Sequence, residues 1–516
     1  MLFNSTSFLA LFLPVTMAGF FWFGSRNRLA AAWWLAIASL VFYAGWSWRY
    51  VPLLVASVAF NFLSGRLIAR SRPRPRHQRA VVAAAITANL LLLGYFKYAD
   101  FLIANWNALS GQHAELLHVV LPLGISFFTF TQIAFLVDTY KGIATEPRFS
   151  HYLVFVTYFP HLIAGPVLHH KEMMPQFGRA TTYRFSWSDV AVGLAIFAMG
   201  LFKKTVLADG IAPHVGDAFA AAARGEEVHL LQAWGAVLAY TLQLYFDFSG
   251  YSDMAIGLSR LFGVKLPLNF NSPYKAVNIG HFWRRWHMTL SRFLRDYLYV
   301  PLGGNRHGTF RRYVNLILTM FLGGLWHGAA WTFAVWGLLH GAYLAVNHAF
   351  QAGRPHLPRL IRSPWLAAAL SVGLTYLAVV LGWVFFRSET LGAAFRMLGG
   401  MFGMNGIAVP DALLMRAPVV LQTAAGALGI RSELGGGSEF VTLWPKIILL
   451  HVIVFAMPNT QQVMARFDPA LDFRGSPALR PLLVSFNPRW AMALGALGGL
   501  GLLAMTRHSE FLYYQF

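Results

Sequence analysis

Cysteine is absent from all 516 residues, so this chain can build no disulfide, zinc–thiolate site or thiol nucleophile. Charge is scarce as well: 12% of residues are charged and 57% hydrophobic, whereas soluble domains carry about 25% charged residues. A water-soluble fold of this length would need more polar surface. Acid is the scarcer sign, with 20 Asp and Glu against 41 Lys and Arg, a net charge of +21. No soluble basic domain carries that excess, which argues against a nucleic-acid partner and leaves positive-inside bias and anionic membrane lipid as its explanation. No Walker-type phosphate loop and no G-x-S-x-G elbow occur, so neither ATP hydrolysis nor a hydrolase-type serine is supported. His161, His169 and His170 lack metal-ligand spacing, and no metal site is expected. No Lys or Arg precedes the first apolar run, which is not the pattern of a signal peptide.

What the chain has in quantity is long apolar runs, among them 8–23, 29–46, 80–96, 119–137, 152–167, 190–202, 230–248, 365–386 and 490–505. The runs are continuous rather than alternating. Backbone in hydrocarbon must satisfy its own hydrogen bonds, so they predict helices and an all-α polytopic membrane protein with about 11–13 transmembrane helices. Arg66, Arg70, Arg72, Arg74, Arg76 and Arg79 crowd one proline-broken loop, which marks the cytoplasmic face. Counting back through three runs places the N-terminus outside and Arg26 and Arg28 inside. The chain reads as one membrane domain, 1–516, with three textures. Residues 1–110 form N-terminal helices, 111–350 a core dense in Gly, Pro, aromatic and charged residues, and 351–516 plainer helices. Within the last region, 431–437 reads as an exposed turn or loop.

The core holds the unusual elements. Segment 277–298 is too charged to span lipid and reads as one amphipathic helix, with His287, Ser291 and Arg295 on one face. A turn at 301–305 ends it, and a long apolar helix is predicted over about 314–336 with His327 inside it. Gly323, Gly324, Gly328 and Gly337 permit close approach of a substrate or, more simply, of another helix.

An intramembrane histidine faces either a protein partner or a water-filled path, and it can take a proton from a hydroxyl near neutral pH. His327 is therefore the leading catalytic candidate and His287 the second, while His340 reads as structural. Asp247 and Asp253 are costly at this depth unless paired, with a His or an Arg such as Arg284 as the expected partner. Arg284, Arg285, Arg295 and Arg306, with Asn305 beside them, belong to a basic group suited to a phosphate-rich ligand such as coenzyme A or to lipid head groups.

Several stretches together resemble a known family. They are LPLGISFFTF at 121–130, YFPHLIAGP at 158–166, QLYFDFSGYSDMAIG at 243–257, NFNSPY at 269–274, FWRRWHMTLS at 282–291, RDYLYVPLGGNR at 295–306 and LGGLWHGA at 322–329. The chain resembles the membrane-bound O-acyltransferase family, nearest the bacterial branch that O-acetylates exported polysaccharides such as alginate. The resemblance covers most of residues 1–350 and specifies the family far better than the acceptor. It implies that His327 is the essential histidine and that His287 fills the second polar position. It also implies re-entrant and amphipathic helices around a central funnel open to both faces. Acetyl-CoA, or an acyl carrier, would supply the acyl group from the cytoplasm with no permanently bound cofactor. His327 would act as base and His287 or a nearby Arg would stabilise the oxyanion. An extracytoplasmic O-acetyltransferase partner would complete delivery to the polysaccharide, and the setting would be the bacterial cytoplasmic (inner) membrane. Two other readings remain at this point: D-alanyl transfer from a phosphopantetheine carrier to a cell-wall polymer, and a non-catalytic polysaccharide or lipid transporter.

Overall fold

The computed structural model describes residues 1–163, 165–353, 361–433, 437–471, 473, 476–505 and 512. Its principal helices are α1 (Leu13–Gly24), α2 (Arg28–Ser47), α3 (Val51–Arg70), α4 (Pro75–Ser110), α5 (Ile125–Tyr140), α6 (Phe149–Thr157), α7 (Trp187–Phe202) and α8 (Leu230–Leu261). They continue as α9 (Ile279–Trp283), α10 (Met288–Leu294), α11 (Gly308–His327), α12 (Trp331–Gly353), α13 (Pro364–Arg387), α14 (Gly437–Ala456) and α15 (Pro488–Ala504). Among the described residues, five helical stretches are long and apolar enough to cross a membrane: Arg28–Arg70, Pro75–Ser110, Trp187–Arg224, Pro364–Arg387 and Gly437–Ala456. The chain is an all-α, multi-pass membrane protein. The higher sequence-based number counted shorter or more polar runs too, and those runs are helical in α1, α5, α8, α11, α12 and α15.

Start signals are local. The Asn27 side chain accepts the amides of Leu29 and Ala30 to cap α2, and Pro75 opens α4 where its missing N–H costs nothing. At 36 residues, α4 runs about 54 Å before Gly111 closes it in the left-handed region. Its outer side exposes Leu91, Leu102 and Trp106, as expected of a surface solvated by lipid rather than water.

Between helices, polar pairs and glycines replace the hydrophobic drive that lipid removes. Buried Asn61 and Asn89 exchange two amide hydrogen bonds, 3.0 and 2.7 Å, which lock α3 to α4. α7 and α8 run antiparallel through two glycine contacts. A Cβ on Gly193 would sit 2.7 Å from the Gly257 carbonyl oxygen, and one on Gly200 would sit 2.7 Å from that of Gly250. No side chain larger than hydrogen fits at either crossing.

Three expectations need correction. Segment 277–298 is not one helix: it divides into α9, a turn, α10 and a π-helical turn at Arg295–Tyr299. The break falls at His287, whose φ of +41° and ψ of +53° lie in the left-handed region. An extended segment competes for the backbone there. The Met288 amide donates to the Asn269 carbonyl, and the Asn271 amide donates to that of Arg285. Nor is 314–336 continuous, because α11 ends at His327 and the chain turns back into α12. Gly328 is extended, and a Cβ on it would lie 2.1 Å from the Phe333 ring. Gly324 and Gly337 fit against the carbonyl oxygens of Phe333 and Met320, so these glycines serve a tight helical hairpin. Finally, Arg431–Glu433 is a short strand parallel to Ala408–Pro410, while 434–436 lie outside the described residues.

Candidate active site

The hairpin end places His327 at the last position of α11, 7% exposed, inside an aromatic cage. Its ring centroid lies 5.0 Å from that of Trp326, 5.3 Å from that of Trp336 and 5.1 Å from that of Phe386. The His287 ring is 6.4 Å away, centroid to centroid. His327 Nδ1 and His287 Nε2 are buried and meet no hydrogen-bond partner among the described residues. A buried nitrogen without a partner is costly, and a hydrogen bond from a hydroxyl group would satisfy it.

His287 is held from behind. Its Nδ1 lies 3.0 Å from Oδ1 of the fully buried Asn269. That oxygen also accepts from the Thr289 hydroxyl at 3.0 Å, while Thr289 Oγ1 accepts the Val167 amide at 2.9 Å. An amide oxygen only accepts, so the network assigns the His287 proton to Nδ1 and leaves the buried Nε2 lone pair without a partner among the described residues. A neutral His287 in this tautomer is an acceptor, which does not suit the oxyanion-donor role expected of it. Phe248 packs edge-on against the ring at 4.8 Å.

α4 grips the His327 turn from the other side. Lys97 Nζ donates to the carbonyls of Trp326 and His327, the latter at 3.0 Å, and the Tyr98 hydroxyl donates to that of Leu325 at 2.7 Å. Beyond the turn, Trp331 Nε1 donates to Asn105 Oδ1 at 2.8 Å.

The arginines fall into two groups. Two cavities of about 440 Å³ each adjoin one another and share Trp283, Ser291 and Arg295 as lining. Arg284 and Arg292 line one, and Asn305 and Arg312 line the other. Arg292 is fixed by a two-pronged pairing with Glu172 at 2.5 and 2.9 Å, and Arg295 pairs with its neighbour Asp296 at 2.7 Å. Arg285 turns away to donate to His281 Nε2 at 2.7 Å and the Asn271 carbonyl at 3.2 Å, which braces the α9–α10 turn. Arg306 is exposed and lines neither cavity. A series of polar contacts links the arginine-rich segment to these two cavities, which together form a vestibule. Arg79 bonds Tyr140 at the end of α5, Glu146 beyond it meets His170, and Glu172 then meets Arg292. Thr289 lines this vestibule and also bonds Asn269, so one residue joins it to the Asn269–His287 pair. A larger apolar cavity of about 1030 Å³, between α1, α7 and α15, is lined by none of these groups.

The aspartates do not pair with Arg284 or a histidine. Asp247 lies 2.6 Å from Lys204 and Asp253 lies 2.6 Å from Lys203, with Thr460 and Gln461 completing the Asp253 shell at 2.6 and 3.0 Å. The glycine crossings of α7 and α8 bring the lysines that follow α7 directly onto α8, so these pairs stitch helices together. His340 is fully buried against Trp283, Trp336 and Trp383. Sequence reasoning missed Asn269 and Lys97. Asn269 stands in NFNSPY without any signal of its own, but Lys97 is a lone cation beside a long apolar run, the same signal that picked out His327.

The membrane-bound O-acyltransferase family pattern matches residues 83–381. The peptidoglycan O-acetyltransferase of Helicobacter pylori is 45% identical, over 100% of this chain and 98% of its own length. The probable alginate O-acetylase AlgI of Pseudomonas aeruginosa is 43% identical over 78% of this chain and 75% of its own, and the teichoic acid D-alanyltransferase of Bacillus subtilis is 27% identical over 60% and 78%. The chain therefore belongs to the membrane-bound O-acyltransferase family and is an acyltransferase.

Proposed function

We propose that this protein moves an acetyl group from cytoplasmic acetyl-CoA to an exported polysaccharide, with His327 as general base. The carrying observation is the His327–His287 pair, in which each imidazole keeps a buried nitrogen without a hydrogen-bond partner among the described residues, with the arginine-lined vestibule linked to it through Thr289 and Asn269. A donor for this shape needs an anionic head for Arg284, Arg292, Arg295 and Arg312 and a slender arm that reaches inward. A coenzyme A thioester has both.

In the proposed reaction the acceptor hydroxyl oxygen attacks the thioester carbonyl carbon as His327 takes its proton. The tetrahedral intermediate collapses, the carbon–sulfur bond breaks, and the departing thiolate recovers the proton from His327. General-base help of this kind is worth about 10²–10⁴-fold. His287, fixed by Asn269, presents an acceptor that orients the attacking hydroxyl. The aromatic cage excludes bulk water and so limits thioester hydrolysis. The arginine-rich loop would face the cytoplasm, the N-terminus the outside, and the membrane would be the bacterial inner membrane. An extracytoplasmic transferase would complete delivery. Relatives named for peptidoglycan and alginate acetylation support an exported glycan as acceptor.

The test is His327→Ala at matched membrane abundance, with the O-acetyl content of the exported glycan as readout. Lost acetylation with normal glycan export is expected, and it removes the transporter reading. Unchanged acetylation overturns the proposal. Turnover with a carrier-linked aminoacyl thioester, and none with acetyl-CoA, would instead favour D-alanyl transfer.

A further inference from the structure

The last carbonyls of a helix have no partner within it and carry the negative end of its dipole. Three of the last four in α11 belong to Leu325, Trp326 and His327, the turn that presents the proposed base. All three are met by α4: Tyr98 takes the first and Lys97 the other two. Lys97 also lies 5.8 Å from the Trp326 ring and has no carboxylate within ion-pair distance among the described residues. An ammonium group facing lipid-depth protein without an acid is expensive, and the end of α11 is what compensates it. Phe101 and Asn105 hold Trp331 past the turn, so residues 97, 98, 101 and 105, one face of α4, grip both sides of His327.

We infer that Lys97 is a positioning residue for acyl transfer: it anchors the C-terminal end of α11 and thereby fixes the place of His327 opposite His287. The inference rests on the reading of His327 as base. Lys97 touches the backbone of the reaction turn and not the imidazole, so its loss should misplace the base without emptying the donor vestibule.

The experiment compares the parent, Lys97→Met, Lys97→Arg, Tyr98→Phe and His327→Ala in membranes. It measures kcat and donor KM with acetyl-CoA, protein abundance and thermal unfolding in detergent. Lys97→Met is expected to lower kcat by about 10²-fold, the scale of a 1 Å misplacement, with donor KM within about twofold of the parent. Lys97→Arg, which still donates to carbonyls, is expected to recover most of the loss. A folded Lys97→Met with parental kcat, or a rise in KM alone, overturns the inference. If Lys97→Met fails to accumulate, Tyr98→Phe decides: lowered kcat at parental abundance supports the anchoring role, and parental kcat overturns it. His327→Ala separates the two readings. Its full activity would remove the base itself, whereas an inactive His327→Ala beside a fully active Lys97→Met would remove only the role of Lys97.

Discussion

His287 and Asn269 are joined by a 3.0 Å bond between Nδ1 and Oδ1, and both residues are buried. The bond decides which imidazole nitrogen carries the proton, and hence what His287 can do opposite His327. Asn269→Leu should leave Nδ1 unpaired, free the tautomer and reduce kcat by about 10–100-fold, the range seen when the partner that orients a functional histidine is removed. Asn269→Asp keeps an acceptor and should retain more activity. Steady-state kinetics of both variants check this, and equal rates would detach Asn269 from function.

The vestibule arginines make separable predictions. Arg295→Ala removes a cation shared by both cavities and should raise the KM for acetyl-CoA with little change in kcat. Arg306→Ala, on the exposed turn, should leave KM unchanged. Donor titrations at matched expression decide, and equal responses would remove the distinction between the two positions.

Asp247 and Lys204 form a buried pair at 2.6 Å. Lys204 also meets Asp209 at 2.8 Å, so the lysine holds two carboxylates, and Lys204→Ala should cost about 3–5 kcal/mol by leaving their buried charge without it. The expected outcome is a large loss of folded protein in size-exclusion profiles. Undiminished folded yield would show that the pair does not hold α8 in place.

The α7–α8 crossing is as sensitive to volume as that pair is to charge. Gly200→Val would place carbon atoms within 2.7 Å of the Gly250 carbonyl oxygen. Separation of the helices should destabilise the protein by at least about 1–3 kcal/mol, visible as a lower unfolding temperature. An unchanged temperature would mean that the crossing yields easily.

Glu146, on the loop after α5, carries the pH prediction. Burial pushes its carboxyl up, but His151 at 3.7 Å and hydrogen bonds from His170 and the Arg148 amide outweigh burial and hold it down at about 2, below its ordinary 4.5. The stabilisation is therefore complete above pH 4.5 and fades as pH falls towards 2. Thermal unfolding should weaken across that window in the parent, and Glu146→Gln should flatten the dependence. Parallel curves would place the acid sensitivity elsewhere.

Much of this was legible in the residues. Continuous apolar runs permit only helices, because hydrocarbon offers the backbone no other hydrogen-bond partner. The rarity of ionisable groups within such runs made His327 conspicuous, and Lys97 carried the same signal unread. Local pattern failed where distant backbone intervened. Helical spacing made one element of 277–298, but the Asn269 segment takes the amide of Met288 and turns the chain at His287. The run at 314–336 hid a hairpin because Gly328 reads as one more small residue until the Phe333 ring lies against it.

The sequence by itself determined that this is a helical membrane protein of an acyltransferase family and that His327 stands apart, since these follow from composition, local periodicity and ordered motifs. Tertiary structure alone decided that His287 lies opposite His327, that Asn269 sets its tautomer and that Lys97 closes the end of α11. Which Asp meets which Lys was likewise left to the fold. Each of these relations joins residues from different helices, and which helices meet depends on glycine crossings and polar pairs whose partners no local pattern identifies.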